Sequence, residues 1–285
     1  MPSLNINLRD SQYRALIGTG GVGSGIFFAL EGNHTLGREE SRGGRFLDQR
    51  DYCKLHIIAH YVKTLAGPDF ETILVSRVGE DAWGYRLLDE MNSAGLDTRF
   101  VALCAGEKTL LSVCFLYPDG SGGNLTASDS ACSRVDAEYI SGVELEFARF
   151  AGRGVALAAP EVSLEARLRL LQLGQQYGFL KVAAFTSAEM QPAVHMGLLA
   201  LTDMLSLNLD EAAALLGWSA EKYSPTAIVE SAIQRLQALN PKMLIALTAG
   251  KNGSWAWDGI CLTHTPAYPV RVARSAGAGV AILAA

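Results

Sequence analysis

Near the C-terminus, Ser275-Ala276-Gly277-Ala278-Gly279 follows an extended apolar stretch and precedes the small apolar run Val280–Ala285. A strand that feeds a glycine-rich turn and then a helix start makes a pocket for anions. The glycines let backbone N–H groups converge, and the helix terminus adds about half a positive charge. Such a nest suits the developing charge of a transferring phosphoryl group. Small-residue turns before helices are common, so the run gains meaning only where other residues agree with it.

Asn208-Leu209-Asp210-Glu211 ends one strand and opens a helix. Residues three apart share a helical face, so Asn208 and Glu211 are placed to orient waters around Mg²⁺. The same spacing is that of a capping box, in which both side chains serve the helix's own N–H groups. Both readings stand on the sequence. Thr248-Ala249-Gly250-Lys251-Asn252-Gly253 follows another strand. Asn252-Gly253 is a hairpin turn signal, whereas Thr248 and Gly250 fall at the strand's C-terminal end, where α/β sheets bind ligands and where nucleotide phosphates would lie. Gly43-Gly44 precedes Asp48, which opens an expected helix. Adjacent glycines admit a small ligand to the backbone, and Asp48 is either a hydroxyl acceptor or a plain N-cap.

Gly18-Thr19-Gly20-Gly21-Val22-Gly23 is a formal GxGxxG after a strand. With Glu39 and Glu40 about twenty residues on, it mimics a dinucleotide-binding fingerprint. The helix that fingerprint needs is missing from the pattern, because Gly32-Asn33 stops the segment early and its aromatic and β-branched residues prefer a strand. The expectation is an extended segment after Gly23 and no dinucleotide. His56 and His60, four apart on a helix, have no acidic residue between them and no third ligand indicated, so they read as a helix-face pair rather than a metal site.

Strand-like and helix-like runs alternate through the chain. Tyr13–Gly18, Thr72–Val78, Gly154–Ala158, Leu180–Phe185, Asp203–Leu207 and Met243–Thr248 read as strands. Asp48–Leu65, Ala82–Ala94, Ser163–Tyr177, a start at Glu211 and a helix capped by Ser224-Pro225 read as helices. Repeated βα units imply a parallel sheet with helices on both faces. Two stretches break the rhythm. Ile26–Glu40 turns at Gly32-Asn33, and Val101–Ala127 turns at Asp119-Gly120, a type I′ signal. Lid hairpins over about 26–42 and 100–128 are expected, attached to a single α/β domain over 1–285.

The composition is globular: 285 residues, 49% hydrophobic and 19% charged. A net charge of −5 gives no electrostatic case for a nucleic-acid partner. Five cysteines without a CxxC pair favour reduced thiols in a cytosol. Gly25–Leu30, the most apolar N-terminal stretch, is too short to span a bilayer and lacks the flanks of a signal peptide. A soluble cytoplasmic protein is expected, without membrane partners.

In order along the chain, these pieces resemble the ribokinase-like (PfkB) carbohydrate kinases. Arg77-Val78-Gly79-Glu80-Asp81-Ala82-Trp83-Gly84 is similar to that family's R-x-G-x-D-x-x-G stretch. Gly43-Gly44 resembles its sugar-side pair, Asn208-x-x-Glu211 its metal-linked N-x-x-E, Thr248-x-Gly250-x-x-Gly253 its nucleotide-side T-x-G-x-x-G, and Gly277-Ala278-Gly279 its anion hole. The resemblance implies a Rossmann-type α/β body, a mostly parallel sheet with helices on both faces, a small β lid over the sugar, and ATP with Mg²⁺. It implies phosphorylation of a hydroxyl on a sugar or sugar-like molecule. Gly43, Gly44 and Asp48 would border the acceptor, and Thr248, Gly250 and Gly253 the nucleotide. Asn208 and Glu211 would act on Mg²⁺ through water. For assembly, a homodimer is an open option.

The departures are specific. Val280 stands where the family has an aspartate acting as base, and Arg274 and Ser275 replace the D-T entry to the anion hole. Asp48 replaces an asparagine, and no acidic sugar ligand is found near the end of the first strand. The chain stops at Ala285, where the family continues for several helices, so its C-terminal helical part is expected to be missing. A non-catalytic nucleotide- or sugar-binding relative is the alternative reading. A dinucleotide-dependent oxidoreductase, resting only on Gly18–Gly23, is the remote one.

Overall fold

In the first strand, Ala15–Thr19 (β1), every residue is buried: Leu16 faces one layer of helices while Ala15 and Ile17 face the other. A strand apolar on both sides is the signature of a parallel sheet sandwiched between helices. The computed structural model describes residues 11–268. The expectations at Arg274, Ser275, Gly277, Ala278, Gly279 and Val280 lie outside those residues.

From β1 the chain leaves the body as Gly23–Leu30 (β2) and returns as Gly44–Tyr52 (β3) before the helix Lys54–Ala66 (α1). Then come Glu71–Gly79 (β4), Ala82–Ser93 (α2), Asp97–Cys104 (β5), Leu110–Leu116 (β6) and Gly122–Thr126 (β7). Two short helices, Ala137–Ser141 (α3) and Glu144–Arg149 (α4), lead to Gly154–Ala158 (β8), Leu164–Gln176 (α5) and Leu180–Ala184 (β9). Met190–His195 (α6), Leu198–Leu201 (α7), Met204–Asn208 (β10), Leu209–Leu216 (α8) and Pro225–Leu239 (α9) follow. Leu244–Thr248 (β11), Ser254–Trp257 (β12) and Leu262–Thr265 (β13) complete the described chain. Among the described residues, one sheet has the order β13-β12-β11-β10-β9-β8-β1-β4-β5, and a smaller one has the order β3-β2-β6-β7.

The large sheet is parallel from β5 to β11 and turns antiparallel only at β12 and β13. Helices α1 and α2 cover one face, with Leu55, Ile58, Leu87 and Met91 packed on Leu16, Leu74, Val78 and Leu157. On the other face Phe147, Leu170, Leu173, Ile228 and Leu236 pack with Ile17, Ile73, Val75, Leu205 and Ile245. This is the mostly parallel α/β body expected, with the strands read from the sequence displaced by a residue or two.

Three expectations are corrected. The helix read from Asp48 begins at Lys54, because Arg50, Asp51 and Tyr52 pair with Ile26, Gly25 and Ser24 in an antiparallel ladder. Gly25 makes the pairing fit: a Cβ there would lie 2.7 Å from the Asp51 Cβ. Val101–Cys104 is not lid but the end of β5, an edge strand paired to β4 in the large sheet. The Asp119-Gly120 corner is not type I′, which needs positive φ at both central residues. Gly120 has φ 85 and is the only residue of that corner with positive φ. Its N–H bonds the Tyr117 carbonyl at 2.9 Å, and Tyr117 N–H bonds Ser121 at 2.7 Å, a three-residue loop ending in a left-handed glycine. Gly23–Leu30 is extended, as read, so no crossover helix follows the GxGxxG.

Candidate active site

The direction of winding reverses between β1 and β8. From β1 the sheet grows through β4 to β5, and from β8 it grows the other way to β11. Such a switch point opens a crevice beyond the carboxyl ends of the two strands. Here Ala159 N–H bonds the Thr19 carbonyl and Gly21 N–H bonds Pro160, each at 2.8 Å, which ties the two strand exits together. Gly21 leaves space that the Glu161 side chain occupies; a Cβ on Gly21 would clash with that carboxylate.

Glu161 carries the main signal of the site. It is the one non-glycine residue with positive φ (79°) among the described residues, a conformation that costs roughly 1–3 kcal/mol and concentrates at ligand sites. The residue is half-buried, and its Oε2 is fully buried with no hydrogen-bond partner among the described residues. Burial raises its pKa above the ordinary value, against the opposing effects of the Cys53 thiol and the Lys54 charge. The Cys53 thiol in turn is held protonated by burial and by the charge of Glu161.

The small sheet roofs this crevice. A cavity of about 420 Å³ lies between them, bordered by Phe27, Asp51 and Asn124 of the small sheet and by Lys54, Glu161 and Asn208 of the body. Cys114 donates to Asp51 Oδ2 at 3.4 Å, and burial together with the Asp51 charge pushes its thiol up to about 12. The roof is anchored through the Arg77–Gly84 run. Asp81 Oδ1 accepts the Gly84 N–H, capping α2, and the Thr109 hydroxyl, while Oδ2 accepts the Thr109 N–H. Gly79 N–H donates to the same hydroxyl at 3.0 Å. That run therefore clamps the start of β6.

Asn208 and Glu211 form the capping box. Asn208 Oδ1 accepts the Glu211 N–H and Glu211 Oε2 accepts the Asn208 N–H, both at 2.8 Å. The box leaves Glu211 Oε1 facing Lys54 Nζ at 3.4 Å, with Glu211 only 6% exposed. Register places Thr248 directly beside Asn208 on the neighbouring strand. Gly250, at φ 53 with open space around its Cα, sits in the turn beyond. Gly253 is different: its φ is 86 and a Cβ would strike the Thr265 carbonyl, so it closes the β11–β12 hairpin against β13. Thr248, Gly250, Asn208 and Glu211 thus gather at one sheet edge beside the cavity.

Gly43, Gly44 and Asp48 are not brought to the cavity. Gly44 pairs with Leu30 at the far end of the lid ladder, and Asp48 is exposed in the β3 bulge opposite Ile26 and Phe27. Asp51 stands at the cavity instead. Sequence reasoning missed Asp51, Lys54, Asn124 and Glu161. For Glu161 a signal exists: a carboxylate three residues after the apolar strand Gly154–Ala158, at the end where such sheets bind ligands.

Fold and geometry define an α/β protein with a crevice at its topological switch point, roofed by a separate small β-sheet. The chain belongs to the pfkB family of carbohydrate kinases, whose model matches residues 58–285. A ribokinase from Giardia lamblia shares the fold at TM-score 0.78 and 15% identity, over 95% of this chain and 81% of that one. One from Cryptococcus neoformans, solved with ADP, does so at TM-score 0.75 and 20% identity, over 95% and 85%. An E. coli protein provisionally described as a ribokinase II, in complex with ATP and Mg²⁺, matches at TM-score 0.67 and 16% identity, over 95% and 83%. No curated protein matches the chain in sequence. No helix among the described residues is long and apolar enough to cross a membrane.

Proposed function

We propose that the protein transfers phosphate from ATP to a hydroxyl of a sugar or sugar-like small molecule held under the lid. The observation that carries this is Glu161: a half-buried carboxylate with one buried, unpartnered oxygen, on a strained backbone, bordering a roofed cavity next to the Asn208–Thr248 strand ends. Carboxylates and an amide in a roofed cavity are complementary to hydroxyl donors, so Glu161, Asp51 and Asn124 would orient the acceptor.

The residues present suit the cofactor. Asn208 and Glu211 offer hard oxygen donors of the kind Mg²⁺ takes, and Glu211 Oε1 is not consumed by the helix cap. Asn208 and Glu211 would hold the ion through water, and it would neutralise phosphate charge. Gly250 leaves open backbone for a phosphate next to Thr248. Gly277, Ala278 and Gly279 would supply the anion hole. The residues of this chain would then act by positioning and charge neutralisation, the general means of phosphoryl transfer. The ion pair between Lys54 and Glu211 links the acceptor cavity to the nucleotide edge.

Val280 favours a second reading, a nucleotide- or sugar-binding relative without turnover, because valine accepts no proton. A coupled assay of ADP release, run with pentoses, hexoses and nucleosides, separates the two. Transfer to one acceptor class supports the kinase, and Val280→Asp should then raise its rate by about 10²–10⁴, the worth of a positioned base. ATP binding without transfer by either form would establish the second reading.

A further inference from the structure

Away from the lid, a second cavity of about 440 Å³ opens between the end of β4, the edge strand β5 and helix α3. It shares no lining residue with the lid cavity. Arg77 supplies its one cation, Phe100, Tyr139 and Val143 its apolar wall, and Asp136 and Glu138 its carboxylates.

Arg77 is held there as a ligand-binding arginine would be. Its guanidinium carbon lies over the Tyr139 ring, 4.4 Å from the centroid. The ring is fixed in turn, since the Tyr139 hydroxyl donates to the Phe100 carbonyl at 3.0 Å. Arg77 Nε is buried and has no hydrogen-bond partner among the described residues. Several arginines of the chain are paired to carboxylates, among them Arg42 with Glu40, Arg86 with Glu90, Arg99 with Asp97 and Arg149 with Glu146. Arg77 makes no such pair among the described residues. A guanidinium held over an aromatic ring and not ion-paired to a protein carboxylate is matched to a planar carboxylate from outside.

The rest of the lining narrows the ligand. Asp136 Oδ1 is committed to capping Tyr139 N–H at 2.8 Å, Oδ2 has no partner among the described residues, and Glu138 is exposed. Two carboxylates there disfavour a phosphate dianion and favour a ligand that carries its own positive charge. We propose that this cavity binds a small amino-acid-like zwitterion, with its carboxylate on Arg77, its ammonium towards Asp136 and Glu138, and its apolar part against Phe100 and Val143.

The test uses the ¹⁵N-labelled full chain and follows the Arg77 Nε–H resonance, assigned by its loss in Arg77→Met. The expected result is a saturable shift on titration with L-leucine, at least about tenfold tighter than with acetate or inorganic phosphate. Glu138→Gln should weaken leucine by about 2- to 5-fold, as for an exposed charge pair. Absence of any shift with leucine, binding of acetate or phosphate as tight as leucine, or undiminished leucine binding by Arg77→Met measured calorimetrically would each overturn the proposal. If Arg77→Met does not fold, Tyr139→Leu, which removes the stacking platform, should broaden the resonance and weaken leucine; unchanged binding there overturns it equally.

Discussion

Replacing Glu161 by glutamine should make the protein more stable and a poorer catalyst at once. One oxygen of the carboxylate is buried and unpartnered, a condition that costs about 1–3 kcal/mol. Glutamine keeps the shape and the backbone strain but removes the charge, so the gain lies at the lower end, about 1–2 kcal/mol. For a chain of this size that is a rise in Tm of about 2–8 °C. The gain depends on pH. Because burial raises the folded-state pKa, the native form still holds its proton where the unfolded chain has lost it. Wild-type stability therefore falls as pH rises from 4.5, the ordinary value, through the raised one. The difference between variant and wild type should be near zero below pH 4.5 and reach its plateau above the folded pKa. In the kinase assay, loss of a charged hydrogen bond worth about 1.5–3 kcal/mol should lower kcat/KM for the acceptor by about 10- to 150-fold. Scanning calorimetry from pH 4 to 8 and the coupled assay measure both. A lower Tm at pH 8 would refute the spare-charge argument, and an unchanged kcat/KM would remove Glu161 from the acceptor site.

Glu211→Ala should lower Tm by a few degrees through loss of a cap worth about 1 kcal/mol, and should also weaken Mg²⁺-dependent ATP binding in calorimetric titration; a fall in Tm alone leaves Glu211 as a capping residue only. Asp81→Ala should cost about 2 kcal/mol, since it unties Thr109 and Gly84 together. Burial raises the Asp81 pKa, but the Thr109 and Gly84 donors outweigh it and hold the carboxyl below 3.8, so its contribution is complete above that pH and is lost only as pH falls further; acid titration of Tm checks this. Arg167 is fully buried and pairs with Glu189 at 3.0 Å. Glu189→Ala should cost about 3–5 kcal/mol by leaving that guanidinium unpaired, and Arg167→Met should cost less; urea denaturation of the two variants gives the order, and the reverse order would refute it.

Local chemistry made most of the α/β body legible. Apolar runs such as Gly154–Ala158 are buried on both faces, Gly95 and Gly178 (φ 77 and 68) follow the helices they close, and the Ser224-Pro225 start is capped as read. The capping box at Asn208 and Glu211 was equally readable, because both its bonds lie within four residues. The lid and the acceptor side of the site were not. Asp48–Leu65 reads as one helix by its apolar spacing, but for residues 50–52 pairing to β2 supplies ladder hydrogen bonds that the propensity of a short segment does not outweigh. That choice moves Asp51 to the cavity and leaves Asp48 in solvent. Glu161's place just beyond an apolar strand is readable locally, but its burial against the exit of β1 follows only from β1 and β8 lying side by side, which no local pattern states. Sequence determines what each segment prefers over a few residues; only the sheet order decides which strand ends meet, and the buried charge acquires its cost, and its use, from that meeting.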